Sequence, residues 1–108
     1  MTLLDAPVLE QALLPVREGQ EDAFEVAMSA AVPLVSSIPG FRGIRVSRGV
    51  ERSGTYLLLI GWDSVEAHEV VFRGSPQYVR WRELLHHFYD PFPVVEHFVP
   101  VPVEPTRE

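Results

Sequence analysis

Apolar and polar positions follow two different periods along this chain, and its most apolar block lies in the middle. Thr55-Tyr56-Leu57-Leu58-Leu59-Ile60-Gly61-Trp62 carries no charge, and Asp63-Ser64, two helix-capping residue types, follow it. Neighbouring side chains on a strand point to opposite faces. Leu57 and Leu59 therefore share one face, and Tyr56, Leu58, Ile60 and Trp62 the other. Both faces are apolar, as in a strand covered on each side. A buried helix is the competing reading of so short a run; the length, the flanking Gly54 and the Asp63-Ser64 stop favour the strand.

The remaining blocks arrange themselves around this one. Val8 to Val16 reads as a first strand, with Glu10 and Gln11 as its polar members. After the turn Arg17-Glu18-Gly19-Gln20, the stretch from Gln20 to Ile38 takes a helical period. Phe24, Ala27, Met28, Ala31, Leu34, Val35 and Ile38 share its inner face. Glu21, Asp22 and Glu25 sit in the first turns, where the helix dipole favours them. Pro33 is expected to kink this helix or end it early. Pro39-Gly40 breaks it. Phe41 to Arg52 reads as a second strand with Ile44, Val46 and Val50 on one face. Arg42, Arg45, Arg48 and Arg52 are spread along it, as on an edge strand guarded by charge. Ser53-Gly54 is the expected hairpin turn into the central strand.

Asp63-Ser64-Val65-Glu66 has the form of a capping box opening a short helix to about Arg73, with Val65, His68 and Phe72 facing inward. Ser75-Pro76 caps and starts another helix, lined by Tyr78, Trp81, Leu85 and Phe88. Val94 to Val101 reads as the last strand, and the Pro/Glu-rich end after it as a frayed tail. The order β-α-β-β-α-β is the split ferredoxin-like pattern, an α+β fold with an antiparallel sheet. One domain is expected over residues 8–101, with tails at 1–7 and 102–108. In this topology the first and third strands are central and both helices cover one face of the sheet. The other face would leave several large apolar side chains in water, each worth ~1.5–3 kcal/mol when buried. A homodimer packing sheet against sheet into a barrel-like core answers that; a monomer with an open apolar face is the alternative.

Composition narrows the functional classes. The chain has 108 residues, no Cys, and a net charge of -6. Disulfide and thiolate chemistry are thereby excluded, and a nucleic acid or an anionic membrane is a poor partner. No apolar run reaches the ~18 residues of a membrane span. Met1 to Pro7 has neither a basic n-region nor a long apolar h-region, so no signal peptide is expected and a cytoplasmic protein is the default.

Pro39-Gly40-Phe41-Arg42-Gly43, Trp62-Asp63-Ser64-Val65-Glu66-Ala67-His68, Ser75-Pro76 and Glu96-His97-Phe98 together resemble the antibiotic biosynthesis monooxygenase family, over roughly Val8 to Val101. The resemblance implies a dimeric α/β barrel. It also implies one of several activities. The family includes cofactor-independent monooxygenases that oxidise polycyclic aromatic phenols to quinones, haem-degrading enzymes and a signalling-molecule isomerase. The haem-degrading branch relies on an Asn, a Trp and a His. This chain has no Asn, and a rough alignment places Phe72 and Arg82 at the other two positions, which disfavours haem degradation.

The resemblance places the ligand cavity between sheet and helices, near Trp62, His68, Phe72, Tyr78, Trp81 and Arg82. Such an aromatic box with few polar groups suits a flat apolar ligand, although aromatics at helical spacing also serve as plain core. His68, on the apolar face of its helix, is the candidate base for an acidic phenol or activated methylene; a core histidine bonded to a backbone carbonyl is the equal alternative. Arg82 is the candidate cation for the resulting oxyanion, or a surface partner of Glu83 or Asp90. Trp62, Phe72, Tyr78 and Trp81 are the candidate substrate-binding residues. No metal or other cofactor is called for by this chemistry. His86 and His87 are adjacent, diverge on a helix, and do not chelate together readily. His97 is left open, with the dimer interface as one place for it. The expected activity is oxidation of a small polycyclic phenol or anthrone-type substrate by dioxygen. The alternatives are a non-catalytic binder of an aromatic or haem-like molecule and a small-molecule isomerase.

Overall fold

The computed structural model describes residues 3–103; the rest of the expected tails lies outside them. After a single 3-10 turn at Leu3–Asp5, the elements are β1 (Val8–Pro15), α1 (Glu21–Ser36), β2 (Phe41–Arg48), β3 (Thr55–Trp62), a π-helical segment (Ala67–Phe72), α2 (Pro76–Leu85), a 3-10 turn (His86–Phe88) and β4 (Val95–Phe98). The sheet is antiparallel in the order β2-β3-β1-β4, so the uncharged β3 is central and the arginine-bearing β2 is an edge.

Strand alternation sorts the side chains as expected. Val8, Glu10, Ala12 and Leu14 of β1 and Tyr56, Leu58, Ile60 and Trp62 of β3 are buried beneath the helices. From α1, Phe24, Met28, Ala31 and Val35 descend onto them. From α2 and its extension, Trp81, Leu85 and Phe88 do the same. The opposite face is largely open: Leu9, Leu57 and Leu59 are half-buried and Leu13 is 50% exposed. Part of it is covered by the N-terminal turn, where Leu3 and Ala6 lie against Gly61; a Cβ there would stand 2.8 Å from that of Ala6.

Four expectations need correction. Helix α1 runs through Pro33 to Ser36. Pro33 and Ser29, whose carbonyl loses its donor, are both exposed, so the unmade bond faces solvent and is not buried. β2 ends at Arg48, not Arg52, and residues 49–54 form the loop, closed by Gly49 N–H to the Thr55 carbonyl at 2.8 Å. Val50 is accordingly 92% exposed instead of lining a strand face. β4 is only four residues long. Finally, the segment after Ser64 begins as expected, with Ser64 Oγ accepting from Ala67 N–H at 3.1 Å, but then widens into a π turn in which Arg73 N–H reaches the His68 carbonyl.

Candidate active site

Glu10, midway along β1, is the one acidic side chain on the inner face of the two central strands, and it is 4% exposed. Its carboxylate Oε1 accepts a hydrogen bond from Trp62 Nε1 at 2.9 Å. The same oxygen lies 3.4 Å from His68 Nε2, long for a hydrogen bond but close enough for strong electrostatic contact. His68 is 2% exposed and stacks on Trp62, ring centres 5.5 Å apart and 19° from parallel. Its other nitrogen, Nδ1, is 2.7 Å from His97 Nε2. Three titratable side chains from β1, the π segment and β4 thus form a continuous chain. The ladder explains the meeting, because Glu10 sits opposite Ile60 on one side and opposite His97 on the other.

Burial disfavours charge on both inner members. It raises the Glu10 carboxyl from 4.5 to about 7, against the opposing pull of the Trp62 hydrogen bond and the positive charge of Arg73. It lowers His68 from 6.5 to about 3, helped by Arg73 and then His97. At neutral pH the group poised to exchange a proton is therefore Glu10, with His68 a neutral imidazole beside it. The π turn is part of the reason: it carries His68 inward between Ala67 and Phe72, which are also buried.

A cavity of about 70 Å³ opens in front of this pair. Phe72, Tyr78, Trp81, Tyr89 and Phe92 supply its aromatic wall, and Arg73 its cation. No buried side-chain nitrogen or oxygen among the described residues lacks a partner. Among the described residues Glu10 Oε2 makes no hydrogen bond, so it must reach open space, and the cavity is the space that Glu10 lines. This volume is small beside the ~300–1,000 Å³ of typical ligand pockets. A polycyclic ligand enters only if lining side chains such as the exposed Phe92 are displaced.

The sequence-derived residues are distributed as follows. His68, Phe72, Tyr78 and Trp81 all line the cavity. Trp62 is fully buried behind it, where it holds Glu10 and His68 instead of meeting a ligand. Arg82 is exposed, outside the cavity wall, with its guanidinium 5.9 Å from the centre of the Tyr78 ring; Arg73 occupies the place expected for it. His97 faces inward with Val95, toward the helices and not toward the open face of the sheet. His86 turns into the cavity wall against Phe92, whereas His87 is exposed and Asp90 pairs with Arg17. Glu10 was not singled out from the sequence, although the signal was there: a lone carboxylate in register with Val8, Ala12 and Leu14 on the apolar face of a central strand. Glu10, His68 and His97 run as a chain instead of converging on a point, and no group of three His, Cys, Asp or Glu among the described residues is placed to share a metal ion.

A four-stranded antiparallel sheet with two helices on one face, and a buried Glu10–His68 pair beside an aromatic cavity, defines a ferredoxin-like α+β protein. The chain belongs to the antibiotic biosynthesis monooxygenase family, whose model matches residues 7–84. It is 45% identical over 91 residues to the uncharacterized protein YczJ of Bacillus subtilis (strain 168), covering 84% of this chain and 96% of that one. The crystal structure of a presumed antibiotic biosynthesis monooxygenase from Bordetella bronchiseptica superposes with a TM-score of 0.84 at 31% identity, covering 90% of this chain and 99% of that one. SnoaB, a cofactor-independent oxygenase from Streptomyces nogalater, shares the fold with a TM-score of 0.77 at 16% identity, over 92% and 97% of the two chains. No helix among the described residues is long and apolar enough to cross a membrane.

Proposed function

We propose that this protein is a cofactor-independent monooxygenase that oxidises a small phenol to a quinone with dioxygen, and that Glu10 is its base. The observation that carries this reading is the Glu10 carboxylate, buried against Trp62 and His68 with one oxygen opening into an aromatic cavity. A carboxyl with a pKa of about 7 is ionised in half the molecules at neutral pH and well matched to general base work. It accepts the phenol proton, and Arg73 at the cavity wall stabilises the phenolate oxygen. The phenolate gives one electron to dioxygen, and the radical pair collapses with formation of a C–O bond. The resulting peroxide takes the proton back from Glu10. Loss of the ring C–H proton then expels water as the O–O bond breaks. Phenol plus dioxygen yields quinone plus water, and the substrate itself supplies all the electrons. His68, the base expected from sequence, serves here as the neutral neighbour through which Glu10 exchanges its proton.

The small cavity favours a single-ring phenol over two- and three-ring substrates. A cytoplasmic homodimer, formed by pairing the open sheet faces, completes the proposal; Leu9, Leu13, Leu57, Leu59 and Phe98 supply an apolar patch of the kind that marks an interface. The test is oxygen uptake by purified protein with a series running from single-ring phenols through 1-naphthol to anthrone. Uptake matched by one quinone per dioxygen supports the reading. Ligand-dependent stabilisation with no uptake across the series would make the protein a binder instead.

A further inference from the structure

A buried base must return its proton to water after each turnover, and while a ligand fills the cavity the route from Glu10 through that side is blocked. We propose that Glu10, His68 and His97 form a proton relay that empties the buried carboxyl to solvent by a concerted exchange of imidazole tautomers. The proposal rests on the reading above only for the source of the proton; the relay itself is a property of the free protein.

The geometry supplies one short hydrogen bond and one close approach that must tighten by a few tenths of an ångström to carry a proton. Glu10 Oε1 faces His68 Nε2 at 3.4 Å, and His68 Nδ1 faces His97 Nε2 at 2.7 Å. Among the described residues His97 Nδ1 has no partner, His97 is only half-buried, and no buried polar atom is left unpaired. The outer nitrogen of His97 therefore meets solvent. Each imidazole has one nitrogen on either side of the chain, as a relay requires.

Proton positions follow from the donor count. With Glu10 ionised, its Oε1 accepts from Trp62 Nε1–H and from His68 Nε2–H. His68 Nδ1 is then a bare acceptor and takes a hydrogen bond from His97 Nε2–H. With Glu10 protonated, every link reverses. The carboxyl turns about its terminal bond to bring the proton taken from the cavity side to the oxygen facing His68; its O–H then donates to a bare His68 Nε2, His68 Nδ1–H donates to a bare His97 Nε2, and His97 Nδ1–H points to water. Passing from the second state to the first breaks the Glu10 O–H, His68 Nδ1–H and His97 Nδ1–H bonds and forms His68 Nε2–H, His97 Nε2–H and one protonated water. One proton leaves Glu10, one arrives in solvent, and neither imidazole is left charged. Burial strongly disfavours an imidazolium at His68, so a relay that avoids one suits this site. The charged and titratable groups around the chain are Arg73 beyond the π segment, Tyr78 and His86 from α2 and the turn after it, and Tyr89; Arg73 adds to the cost of positive charge on His68.

His97 is thus a positioning and relay residue that does not touch the substrate. Full-length protein with labelled Glu carboxyl carbons and His nitrogens tests this by NMR across pH 4.5 to 9. The expected result is that His68 changes tautomer, from Nδ1–H to Nε2–H, at the same midpoint at which Glu10 ionises. His68 holding one tautomer above and below that midpoint overturns the relay. In His97→Gln, which keeps a hydrogen-bonding side chain on an edge strand, proton exchange at Glu10, read from its line width at the midpoint, is expected to slow by roughly 10²-fold, the lower end of what a positioned acid–base group contributes. Unchanged exchange in His97→Gln also overturns it. Added imidazole should restore exchange in His97→Ala. Absence of oxygen uptake with every phenol would sink the proposed reaction while leaving these NMR outcomes to decide the relay by themselves.

Discussion

Replacing Glu10 with Gln should make the protein's stability respond to pH in the opposite sense from the loss of an ordinary surface carboxylate. Gln is close to isosteric, and its amide oxygen can still accept from Trp62 Nε1 at the position Glu10 Oε1 now holds. The difference lies in the proton. Unfolded, Glu10 releases it near 4.5; folded, it holds it to about 7. Between those values the folded wild type binds the extra proton, so its stability falls as pH rises through the window. Below 4.5 both states are protonated and the penalty vanishes. At ~1.36 kcal/mol per pH unit, the gap between 4.5 and about 7 corresponds to about 3 kcal/mol. His68 acts with the other sign: folded, it resists protonation down to about 3, so its contribution is lost as pH falls below 6.5. In the wild type these two trends nearly cancel between 4.5 and 6.5. Both proteins keep His68, so its part drops out of the difference between them. Urea unfolding of both proteins from pH 4 to 8.5, at one fixed protein concentration because association shifts the midpoint, should show Glu10→Gln gaining about 3 kcal/mol on the wild type across the range. A difference that stays flat with pH would refute the argument that burial keeps the carboxyl protonated.

Three further outcomes follow from the packing. Gly40 has φ near +93° and a Cβ there would lie 2.7 Å from that of Ala67; Gly40→Ala should cost ~1–3 kcal/mol in chemical denaturation and displace the start of the segment that carries His68. Phe92 lines the cavity and packs against His86 and Tyr89, so Phe92→Ala should tighten binding of two- and three-ring phenols by about tenfold, ~1.4 kcal/mol, in titration calorimetry; unchanged affinity would show that Phe92 does not limit ligand size. Leu57→Asp, on the open sheet face, should convert a dimer to a monomer in sedimentation velocity, and a dimer that survives it would place the interface elsewhere.

The fold was legible because two periods carried it. The uncharged run at Thr55–Trp62 and the i, i+3, i+4 face from Phe24 to Val35 required a covered central strand and a helix above it, and both are in place. Boundaries were less legible. The turn glycines Gly49 and Gly54 bracket a loop whose residues, including Val50, also satisfy a strand pattern, and only backbone pairing at Arg48 opposite Tyr56 decides between them. The π turn could not be read from six side chains, because a slip from four- to five-residue spacing changes the backbone bonds more than the apolar pattern. Half of the site followed from residue type: His68, Phe72, Tyr78 and Trp81 announce themselves as aromatic or titratable on apolar faces. Glu10 and His97 did not, since their roles depend on strand register, which places both on one row of the sheet. Arg73 and Arg82 differ only in where the chain turns, at Gly74 and Ser75, between them.

The most direct measurement is oxygen uptake by the wild type and by Glu10→Gln on the same phenol, in protein freed of added metals and flavins. A buried carboxylate acting as base predicts one dioxygen consumed per quinone by the wild type and a rate lower by ~10²–10⁴-fold in Glu10→Gln. Equal rates from the two proteins would contradict the assignment of Glu10 as the base.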